Sequence, residues 1–351
     1  MPYRLKTQEL LEAINIRARQ QNKLTGFTIG NTSKIDHHGL YFTPLRTTTL
    51  MVSAGVVVYS EEQAIEVAKI VDGRVDYVLV DAEKKIPNER DPLELANVER
   101  CVREYIRRST LWVYKGNDLS VDAVDGLLAQ LTKKDTRGLG GKKITILGAG
   151  NVGFKLALRL VERGAHVTIT RRNKEILDHL VQAINFVKPV YTQASVTGVT
   201  DNVAAARGAE ILIGASGGVA MITAAMIEDL APFAMIIDVG KGVLFPQAVA
   251  AARKRRISVY RLDISAAFEG LVHHLRAVEN LVEKKSGRTK FHDESIISGG
   301  LLGDKEEIVV DNVWAPKAVY GIADGQGDFI RKLTEEQQMR LAKIQKLINS
   351  G

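Results

Sequence analysis

The chain has 351 residues, of which 45% are hydrophobic and 25% charged, and its formal net charge is +7. This length favours two domains, and the composition is that of an ordinary soluble globular protein. No apolar run approaches the roughly 20 residues that span a bilayer, and the first residues lack the apolar core of a signal peptide, so no membrane partner is expected. The only cysteine, Cys101, excludes an intrachain disulfide and favours a cytoplasmic location.

The positive net charge raises the question of anionic partners. The densest basic run, Arg253 to Arg256, has no interleaved aromatic residues on which bases could stack. We therefore expect no nucleic-acid partner. The alternative to an anionic ligand is that most of these cations are solvated surface residues.

Helix and strand patterns alternate through the first part of the chain. Apolar spacing and capping residues predict helices at 6–20, 60–71, 91–109 and 120–134. Runs rich in β-branched residues predict strands at 50–60, 75–82 and 111–115. Ser60 and Ser120 are the predicted N-caps of two helices. The pattern predicts a small α/β domain at 1–137, with a Gly-rich linker at its end.

The alternation is clearest in the next segment, 138–264. Its five predicted strands read KITILG, HVTITR, AEILIGA, AMIIDVG and ISVYRLD. Buried strands that alternate with helices indicate a doubly wound parallel sheet with helices on both faces. The predicted fold class is therefore α/β, with a Rossmann domain following the small first domain.

The last segment, 265–351, is predicted to be a C-terminal extension with helices. One helix covers 264–285 and another covers 334–348, where Thr334 and Gln337 have the spacing of a capping box. Between them the sequence predicts one strand, EEIVVDN. These elements have no obvious place in a two-domain core. We expect them to pack on the first domain or on a partner protomer, and a homodimer is the predicted assembly.

The sequence GAGNVG follows the first strand of the second domain and opens a helix. In this context G-x-G-x-x-G is a dinucleotide-binding signature. Gly148 permits a tight turn, Gly150 lets a pyrophosphate approach the backbone at the positive end of the helix, and Gly153 lets the helix pack on the strand. Asn151 and Val152 complete the predicted cofactor turn.

The acid that usually binds the adenosine ribose is missing. The second strand of this domain ends in Thr170, Arg171 and Arg172. Arginine can pair with a 2′-phosphate through two parallel hydrogen bonds. The sequence therefore predicts NADP as the cofactor in preference to NAD. The alternative is that one of the arginines faces solvent.

Two further turns, GASGG and DVGKG, end the predicted strands AEILIGA and AMIIDVG. Glycine at this edge lets a nicotinamide lie against the backbone, although a purely structural turn would also use glycine. These turns add five predicted cofactor contacts: Ala215, Ser216, Gly217, Val239 and Gly240.

The first domain should supply the proton relay. Lys84 and Lys85 follow a buried predicted strand, and Asp122 and Asp125 precede the linker. A lysine beside a carboxylate can relay the proton that accompanies hydride transfer. The alternative is that these residues are solvated surface charges.

A substrate clamp is the second candidate in this domain. Arg46 is followed by Thr47 and Thr48 ahead of a predicted strand. The guanidinium could hold a substrate carboxylate while the hydroxyls donate hydrogen bonds. The alternative is an ordinary strand edge.

The order of the two domains resembles the shikimate dehydrogenase and methylene-tetrahydrofolate dehydrogenase superfamily. AVDG at 123–126 is similar to the N-T-D-G motif of shikimate dehydrogenases, and IIDVGKG at 236–242 is similar to a stretch of the folate enzymes. The resemblance implies an NADP-binding Rossmann domain, with Lys85 as the catalytic lysine and Asp125 as its partner. Lys84 is a near-equal alternative to Lys85. The resemblance does not identify the substrate.

Together these features predict an NADP-dependent oxidoreductase acting on a small polar hydroxy, keto, amine or imine substrate. The histidines show no metal-ligand pattern with cysteines or paired acids, so no metal is predicted. The alternative is a nucleotide-binding sensor or assembly subunit without turnover, with the C-terminal segment as a partner surface.

Overall fold

The computed structural model describes residues 2–32, 39–88 and 93–350. Its internal contacts divide the chain into two compact units, Met1–Leu271 and Val272–Gly351. The first unit holds two mainly parallel sheets with helices, and the second holds a small mixed sheet, so the predicted α/β class is confirmed. Over these described ranges, every helix is too short or too polar to cross a bilayer.

The first sheet has a parallel core of four strands, β4-β1-β5-β6, to which β2 and β3 add as short antiparallel partners of β4. The elements of this region are α1 (Pro2–Gln21), β1 (Leu24–Asn31), β2 (Tyr41–Phe42), β3 (Arg46–Thr47), β4 (Met51–Val58), α2 (Glu61–Val71), β5 (Tyr77–Asp81), α3 (Val98–Tyr105), β6 (Thr110–Tyr114) and α4 (Gly116–Leu131). From β1 the chain adds β4 on one side of the sheet and then adds β5 and β6 on the other side. The strand order therefore reverses between β1 and β5. Such a switch point opens a crevice at the carboxyl ends of the strands.

Strand β1 is missing from the sequence prediction, yet it lies inside the sheet and is almost wholly buried. Its sequence, LTGFTIGN, mixes glycine and threonine with apolar residues and lacks the run of three valines that ends β4. A Cβ at Gly26 would collide with the side chain of Met51 on β4. Small residues that make room for neighbouring side chains also hide the strand from a hydrophobicity pattern.

The predicted helix at 91–109 is wrong at both ends. Helix α3 begins at Val98, where the side chain of Asn97 accepts a hydrogen bond from the backbone N–H of Arg100. Residues 93–97 are therefore not helical, and residues 91–92 lie outside the described residues. The asparagine N-cap starts the helix later than apolar spacing alone suggests, and the helix ends at Tyr105 and not at residue 109.

The predicted N-cap at Ser120 is also wrong, whereas the one at Ser60 is confirmed. Helix α4 begins at Gly116, and the hydroxyl of Ser120 donates to the carbonyl oxygen of Gly116 at 3.1 Å. Inside a helix, a serine hydroxyl can donate to the carbonyl oxygen four residues earlier. The side chain of Ser60 accepts from the N–H of Gln63 at the start of α2.

The second sheet has six parallel strands in the order β12-β11-β10-β7-β8-β9. Its elements are β7 (Lys143–Leu147), α5 (Asn151–Glu162), β8 (His166–Thr170), α6 (Lys174–Val187), β9 (Val196–Val199), α7 (Asn202–Ala206), β10 (Ile211–Gly214), α8 (Ala224–Glu228), β11 (Met235–Asp238), α9 (Pro246–Lys254), β12 (Ser258–Arg261) and α10 (Ser265–Lys284). This is the doubly wound Rossmann order, with its switch point between β7 and β10. The five predicted strands are confirmed. The edge strand β9 was not predicted; its four residues, VTGV, include a glycine and only one buried residue.

The second unit is built on a four-stranded mixed sheet in the order β13-β14-β15-β16, beside one helix. Its remaining elements are β13 (Arg288–Phe291), β14 (Glu294–Ser298), β15 (Ile308–Val310), β16 (Val319–Ile322) and α11 (Glu335–Ser350). Fully buried Ile344 of α11 packs against the sheet in a small core. The capping box is confirmed, since Thr334 and Gln337 exchange hydrogen bonds of 2.9 and 3.2 Å. Of the four strands, only β15 was predicted.

Candidate active site

A cleft of about 1040 Å³ lies where the carboxyl ends of the two sheets of the first unit face one another. The first sheet contributes residues that follow β1, β5 and β6, and the second sheet contributes residues that follow β7, β10 and β11. The predicted site residues that line it are Lys84, Lys85, Gly150, Asn151, Val152, Ala215, Ser216, Gly217, Val239 and Gly240. The cleft therefore spans the switch points of both sheets, where α/β proteins bind ligands.

The glycine turn after β7 depends on backbone approaches that a side chain would prevent. Gly148 has a φ of +103°, and a Cβ there would lie 2.9 Å from the carbonyl oxygen of Ala215. A Cβ at Gly153 would collide with the carbonyl oxygen of Gly148, so α5 packs directly on the turn. At Gly150, the N-cap of α5, a Cβ would meet no other part of the described chain within 4 Å. The turn leaves open space at the positive end of a 12-residue helix, which suits a pyrophosphate.

The end of β8 places two predicted residues against this turn. The hydroxyl of Thr170 accepts from the N–H of Gly148 at 3.3 Å, and its carbonyl oxygen accepts from the N–H of Ala149 at 2.7 Å. The guanidinium of Arg171 donates to the carbonyl oxygen of Ala149 at 2.7 Å. Arg172 is exposed. One arginine is thus fixed beside the turn, and the next in sequence is open to solvent.

The loops after β10 and β11 are packed on each other through their backbones. A Cβ at Gly240 would lie 2.7 Å from the amide nitrogen of Gly218. The N–H groups of Val239 and Gly240 donate to the carbonyl oxygen of Gly214 at 3.0 and 3.2 Å. The hydroxyl of Ser216 donates to the carbonyl oxygen of Val219 at 2.6 Å. These contacts hold the cleft wall of the second sheet largely by its main chain.

The first sheet presents a charged cluster at the end of β5. The ammonium of Lys85 lies 2.6 Å from Asp81 Oδ2 and 3.0 Å from Glu83 Oε2. Asp81 Oδ1 accepts from the N–H groups of Glu83 and Gly116, each at 3.1 Å. Only 3% of the Asp81 side chain and 17% of the Lys85 side chain are exposed. Because each buried charge has opposite charges or backbone donors around it, the cluster fixes Lys85 in the cleft wall.

Glu83 also connects this cluster to the second sheet. Its oxygens accept from the N–H of Asn117 at 2.7 Å and lie 3.5 Å from the ammonium of Lys155 on α5. The side chain of Asn117 donates to that of Asn151 in the glycine turn at 3.2 Å. Burial acts to lower the pKa of Lys155, but the carboxylates of Asp118 and Glu83 outweigh it and raise the pKa. These contacts join the two halves of the cleft at one side.

Lys84 differs from its neighbour. It lines the cleft but is exposed, and it forms no ion pair with any residue in the described ranges. Successive residues that leave a strand point in different directions, so one lysine is held by carboxylates and the other remains open to a ligand.

The predicted pairing of Lys85 with Asp125 is wrong. The carboxylate of Asp125 lies 2.7 Å from the guanidinium of Arg163 and 3.7 Å from that of Arg159. Helix α4 packs lengthwise on α5, and this acid therefore meets the arginines of α5 instead of the cleft. Asp81, at the end of β5, occupies the partner position beside Lys85.

The three residues that were predicted to bind a substrate carboxylate, Arg46, Thr47 and Thr48, lie in different environments. The hydroxyl of buried Thr48 donates to the carbonyl oxygen of Met51 at 3.0 Å and accepts from the N–H of Met51 at 2.9 Å. Thr48 thus closes the turn into β4, and its hydroxyl is engaged by the backbone of Met51. Thr47 is exposed on β3, and Arg46 is half-buried beside it.

Asn31 is a cleft residue that the sequence analysis did not predict. It ends β1, and its side chain donates to the carbonyl oxygen of Asp81 at 3.2 Å, which ties the two strands at the switch point. Asn31 Oδ1 is buried and has no hydrogen-bond partner in the described chain. Asp81, a buried acid at the end of an otherwise apolar strand, was not predicted as the partner of Lys85. A polar residue that ends a buried strand is the signal that would have indicated Asn31.

Residues 143–242 match a protein-family model described as "NADP oxidoreductase coenzyme F420-dependent". The match covers the sheet from β7 to the loop after β11. This segment is therefore an NAD(P)-binding Rossmann domain of the oxidoreductase type. The match spans less than a third of the 351 residues, so it describes the segment rather than the whole chain. No curated protein sequence matches the chain significantly.

Solved structures match the chain at low identity, and they include dehydrogenases as well as ornithine carbamoyltransferases. A dipicolinate synthase chain from Bacillus halodurans is 15% identical over 64% of this chain and 71% of its own, with a TM-score of 0.36. The hetero-hexameric glutamate dehydrogenase from Thermus thermophilus is 14% identical over 75% and 70%, with a TM-score of 0.43. L-Tryptophan dehydrogenase from Nostoc punctiforme is 12% identical over 75% and 76%, with a TM-score of 0.42. These values describe a distant likeness in fold only.

Proposed function

We propose that the chain is an NADP(H)-dependent oxidoreductase whose small polar substrate binds in the cleft. One observation carries the proposal. The cleft joins an open glycine turn at the start of α5 to a wall of the first sheet that carries Lys84 and Lys85. A dinucleotide on the turn and a proton-relaying group near its nicotinamide end are the two parts that such a reaction needs. The order of the two sheets also supports the resemblance to the shikimate dehydrogenase superfamily.

The residues of the chain have separable roles in this proposal. The backbone from Gly148 to Gly153 holds the pyrophosphate, and Arg171 with Arg172 binds the 2′-phosphate. Bound NADP(H) supplies or accepts the hydride. Lys85 gives a proton to the substrate oxygen or nitrogen, or takes one from it, while Asp81 and Glu83 keep its ammonium in place.

Lys84 is the alternative relay. It lines the same cleft and is not held by carboxylates of the described chain, so it is free to follow a substrate. The two lysines are distinguished by single substitutions to methionine, which keeps the length of the side chain and removes the charge.

The cofactor assignment is tested by fluorescence titration with NADPH and NADH in parallel. We expect NADPH to bind at least tenfold tighter, which corresponds to about 1.4 kcal/mol. Arg171→Ala should weaken NADPH by about tenfold and NADH by much less, because it removes a partner of the 2′-phosphate and only one hydrogen bond to the carbonyl oxygen of Ala149 in the turn. NADH binding as tight as NADPH binding would contradict the assignment, as would unchanged NADPH affinity in Arg171→Ala.

A nucleotide-binding sensor without turnover is the second candidate. The observation that favours it is the tight pairing of Lys85 with two carboxylates, which a purely structural wall would also show. A screen of NADPH oxidation over keto acids and imines separates the two candidates. Turnover with any of them supports the enzyme, whereas nucleotide binding without turnover across the screen supports the sensor.

A further inference from the structure

Gly116 lies where the end of β6 meets the charged cluster at the end of β5. The two strands are parallel neighbours, with Asp81 beside Tyr114 in the sheet register. The N–H of Ala82 continues this pairing and donates to the carbonyl oxygen of Tyr114 at 2.9 Å. Helix α4 begins at Gly116, shortly after Tyr114. The strand pairing therefore brings the first residue of α4 against the carboxylate of Asp81.

This approach leaves no room for a side chain at position 116. A Cβ at Gly116 would lie 2.8 Å from Asp81 Oδ2, a separation that Cβ atoms of folded proteins essentially never show. It would also lie 3.4 Å from the ammonium nitrogen of Lys85. That nitrogen and Asp81 Oδ2 are themselves 2.6 Å apart. A methyl group at this position would therefore press directly on the ion pair.

The backbone does not account for the glycine. The φ of Gly116 is outside the left-handed region that favours glycine, and the residue is the first of a 16-residue helix. Alanine has a higher helix propensity than glycine. The lack of space beside Asp81 is therefore the physical reason for glycine at this position.

Asp81 cannot turn aside at low cost. Its other oxygen, Oδ1, accepts from the N–H groups of Glu83 and Gly116, each at 3.1 Å, and only 3% of the side chain is exposed. Rotation of the carboxylate would break hydrogen bonds of a buried charged group, which is costly. Because Oδ2 is the atom that a methyl group would meet, the contact that would be lost is the one with Lys85.

The same end of α4 holds the second carboxylate that contacts Lys85. The N–H of Asn117 donates to Glu83 Oε2 at 2.7 Å, and that oxygen lies 3.0 Å from the ammonium of Lys85. Both acids that hold Lys85 are thus bonded to backbone N–H groups of the first two residues of α4. The place of Lys85 depends on how closely this helix end approaches β5, and the absence of a side chain at Gly116 permits the close approach.

We propose that Gly116 is a positioning residue for Lys85, which it serves by lacking a side chain. The inference rests on the proposed function, because it takes Lys85 to be the proton relay. Gly116 does not itself line the cleft, so its effect on the reaction passes through Lys85. A misplacement of about 1 Å can lower a rate by roughly 10²-fold, so one added methyl group is sufficient to impair turnover.

Acetylation rates of lysines test the positioning without a substrate. The full chain is pulse-labelled with acetic anhydride, and the extents of labelling at Lys84 and Lys85 are read from fragment masses. Only an unprotonated amine is acylated, so a lysine held between two carboxylates reacts slowly. Lys84 is the internal reference, because it is exposed and forms no ion pair in the ranges that the structure describes.

The variants form a double-mutant cycle of G116A, D81A and D81A/G116A. The matched control is G126A, the same substitution in the same helix at a position with open space. G116A should raise the ratio of Lys85 to Lys84 labelling by about tenfold, because a charge-assisted hydrogen bond is lost. G126A should change it by less than about twofold. In the D81A background, G116A should add less than about twofold, because the methyl group has no carboxylate to displace.

Three results would overturn the proposal: a ratio in G116A within about twofold of the wild type, an equal rise in G126A, or the same effect of G116A with and without the Asp81 side chain. If G116A alone does not fold but D81A/G116A does, the collision with Asp81 is supported. If neither folds, Gly116 has a structural role and the proposal is overturned.

Kinetics separate this inference from the proposed function. With an active substrate, G116A should lower kcat by roughly 10- to 10²-fold and leave KM and NADPH affinity within about twofold. Wild-type kcat in G116A, despite altered labelling, would overturn the part of Gly116 in the reaction. The predicted labelling in a protein that turns over no substrate would support the hold of Gly116 on Lys85, and the proposed function alone would fail.

Discussion

The two walls of the cleft are built by different means. The second sheet presents main-chain groups, which glycines bring close together and open to a ligand. The first sheet presents charged side chains, which are held by one another in the cluster of Asp81, Glu83 and Lys85. The difference fits the proposed function, in which backbone groups and the helix N-terminus of one wall bind a nucleotide and a side chain of the other wall transfers a proton.

The largest effect on activity is expected for a substitution in the cleft wall that the side chains of the first sheet form. Lys85→Met should lower turnover by roughly 10²–10⁴-fold while NADPH affinity stays within about twofold, because the proton relay is lost and the glycine turn is untouched. Steady-state kinetics on the real substrate together with NADPH titration check both parts.

Lys84→Met is the matched control for that variant. Removal of its charge should lower turnover by less than about tenfold if Lys85 is the relay. If Lys84→Met shows the large loss and Lys85→Met does not, the roles are exchanged. If both variants keep full turnover, the proton relay lies elsewhere in the cleft.

The second-largest effect is expected for a substitution in the cleft wall that the backbone of the second sheet forms. Gly153→Ala should abolish detectable NADPH binding and destabilise the fold by about 1–3 kcal/mol, because its methyl group would collide with the carbonyl oxygen of Gly148. Titration and urea unfolding measure the two losses. Gly126→Ala is the control: it lies in helix α4 with no other part of the described chain within 4 Å of the new methyl group, and it should be neutral or stabilising. Equal behaviour of the two variants would contradict the account of the turn.

A smaller effect, on stability alone, is expected for Asp72, a buried acid that lies away from the cleft beside the first sheet. Burial acts to raise the pKa of Asp72, but hydrogen bonds from the N–H groups of Arg108, Ser109 and Arg107 outweigh it and lower the pKa. A lowered pKa means that the ionised acid stabilises the fold above its ordinary pKa of about 3.9 and that this stability is lost as the pH falls through the folded-state pKa.

Asp72→Asn should therefore cost about 1–3 kcal/mol at pH 7 and progressively less below about pH 4. Asp201→Asn, at the N-cap of helix α7, is the comparison. It should lower the free energy of unfolding by only a few tenths of a kcal/mol, because asparagine caps helices as well as aspartate. Urea unfolding across pH measures both. A loss for Asp72→Asn that is the same at pH 3 and pH 7 would show that ionisation is not the cause.

The same contrast explains what the sequence reveals. A main-chain site needs glycines at fixed spacing between a strand and a helix. The roles of Gly148, Gly150 and Gly153 could therefore be predicted from the sequence alone. A side-chain site depends on which residues the sheet brings together. Asp81 and Lys85 meet at the end of β5, whereas Asp125, which was paired with Lys85 through the resemblance of AVDG to N-T-D-G, meets the arginines of α5.

Strand prediction failed for a related reason. The five strands of the second sheet that were predicted carry β-branched residues without an interior glycine, whereas β1 carries glycines that fit beside neighbours such as Met51. The short strands of the second unit have few buried residues each and owe their place to a sheet that forms only when distant segments pair.

The most direct test of the account is NADPH titration of Gly150→Asp. Gly150 has an extended backbone, caps α5 and has open space around its Cβ position, so aspartate should fold normally there and place a carboxylate where the pyrophosphate would lie. Gly126→Asp, in α4, carries the same added charge elsewhere. We predict that NADPH fluorescence on binding is lost in Gly150→Asp and retained in the wild type and in Gly126→Asp. Wild-type affinity in Gly150→Asp would contradict the placement of the nucleotide on the glycine turn.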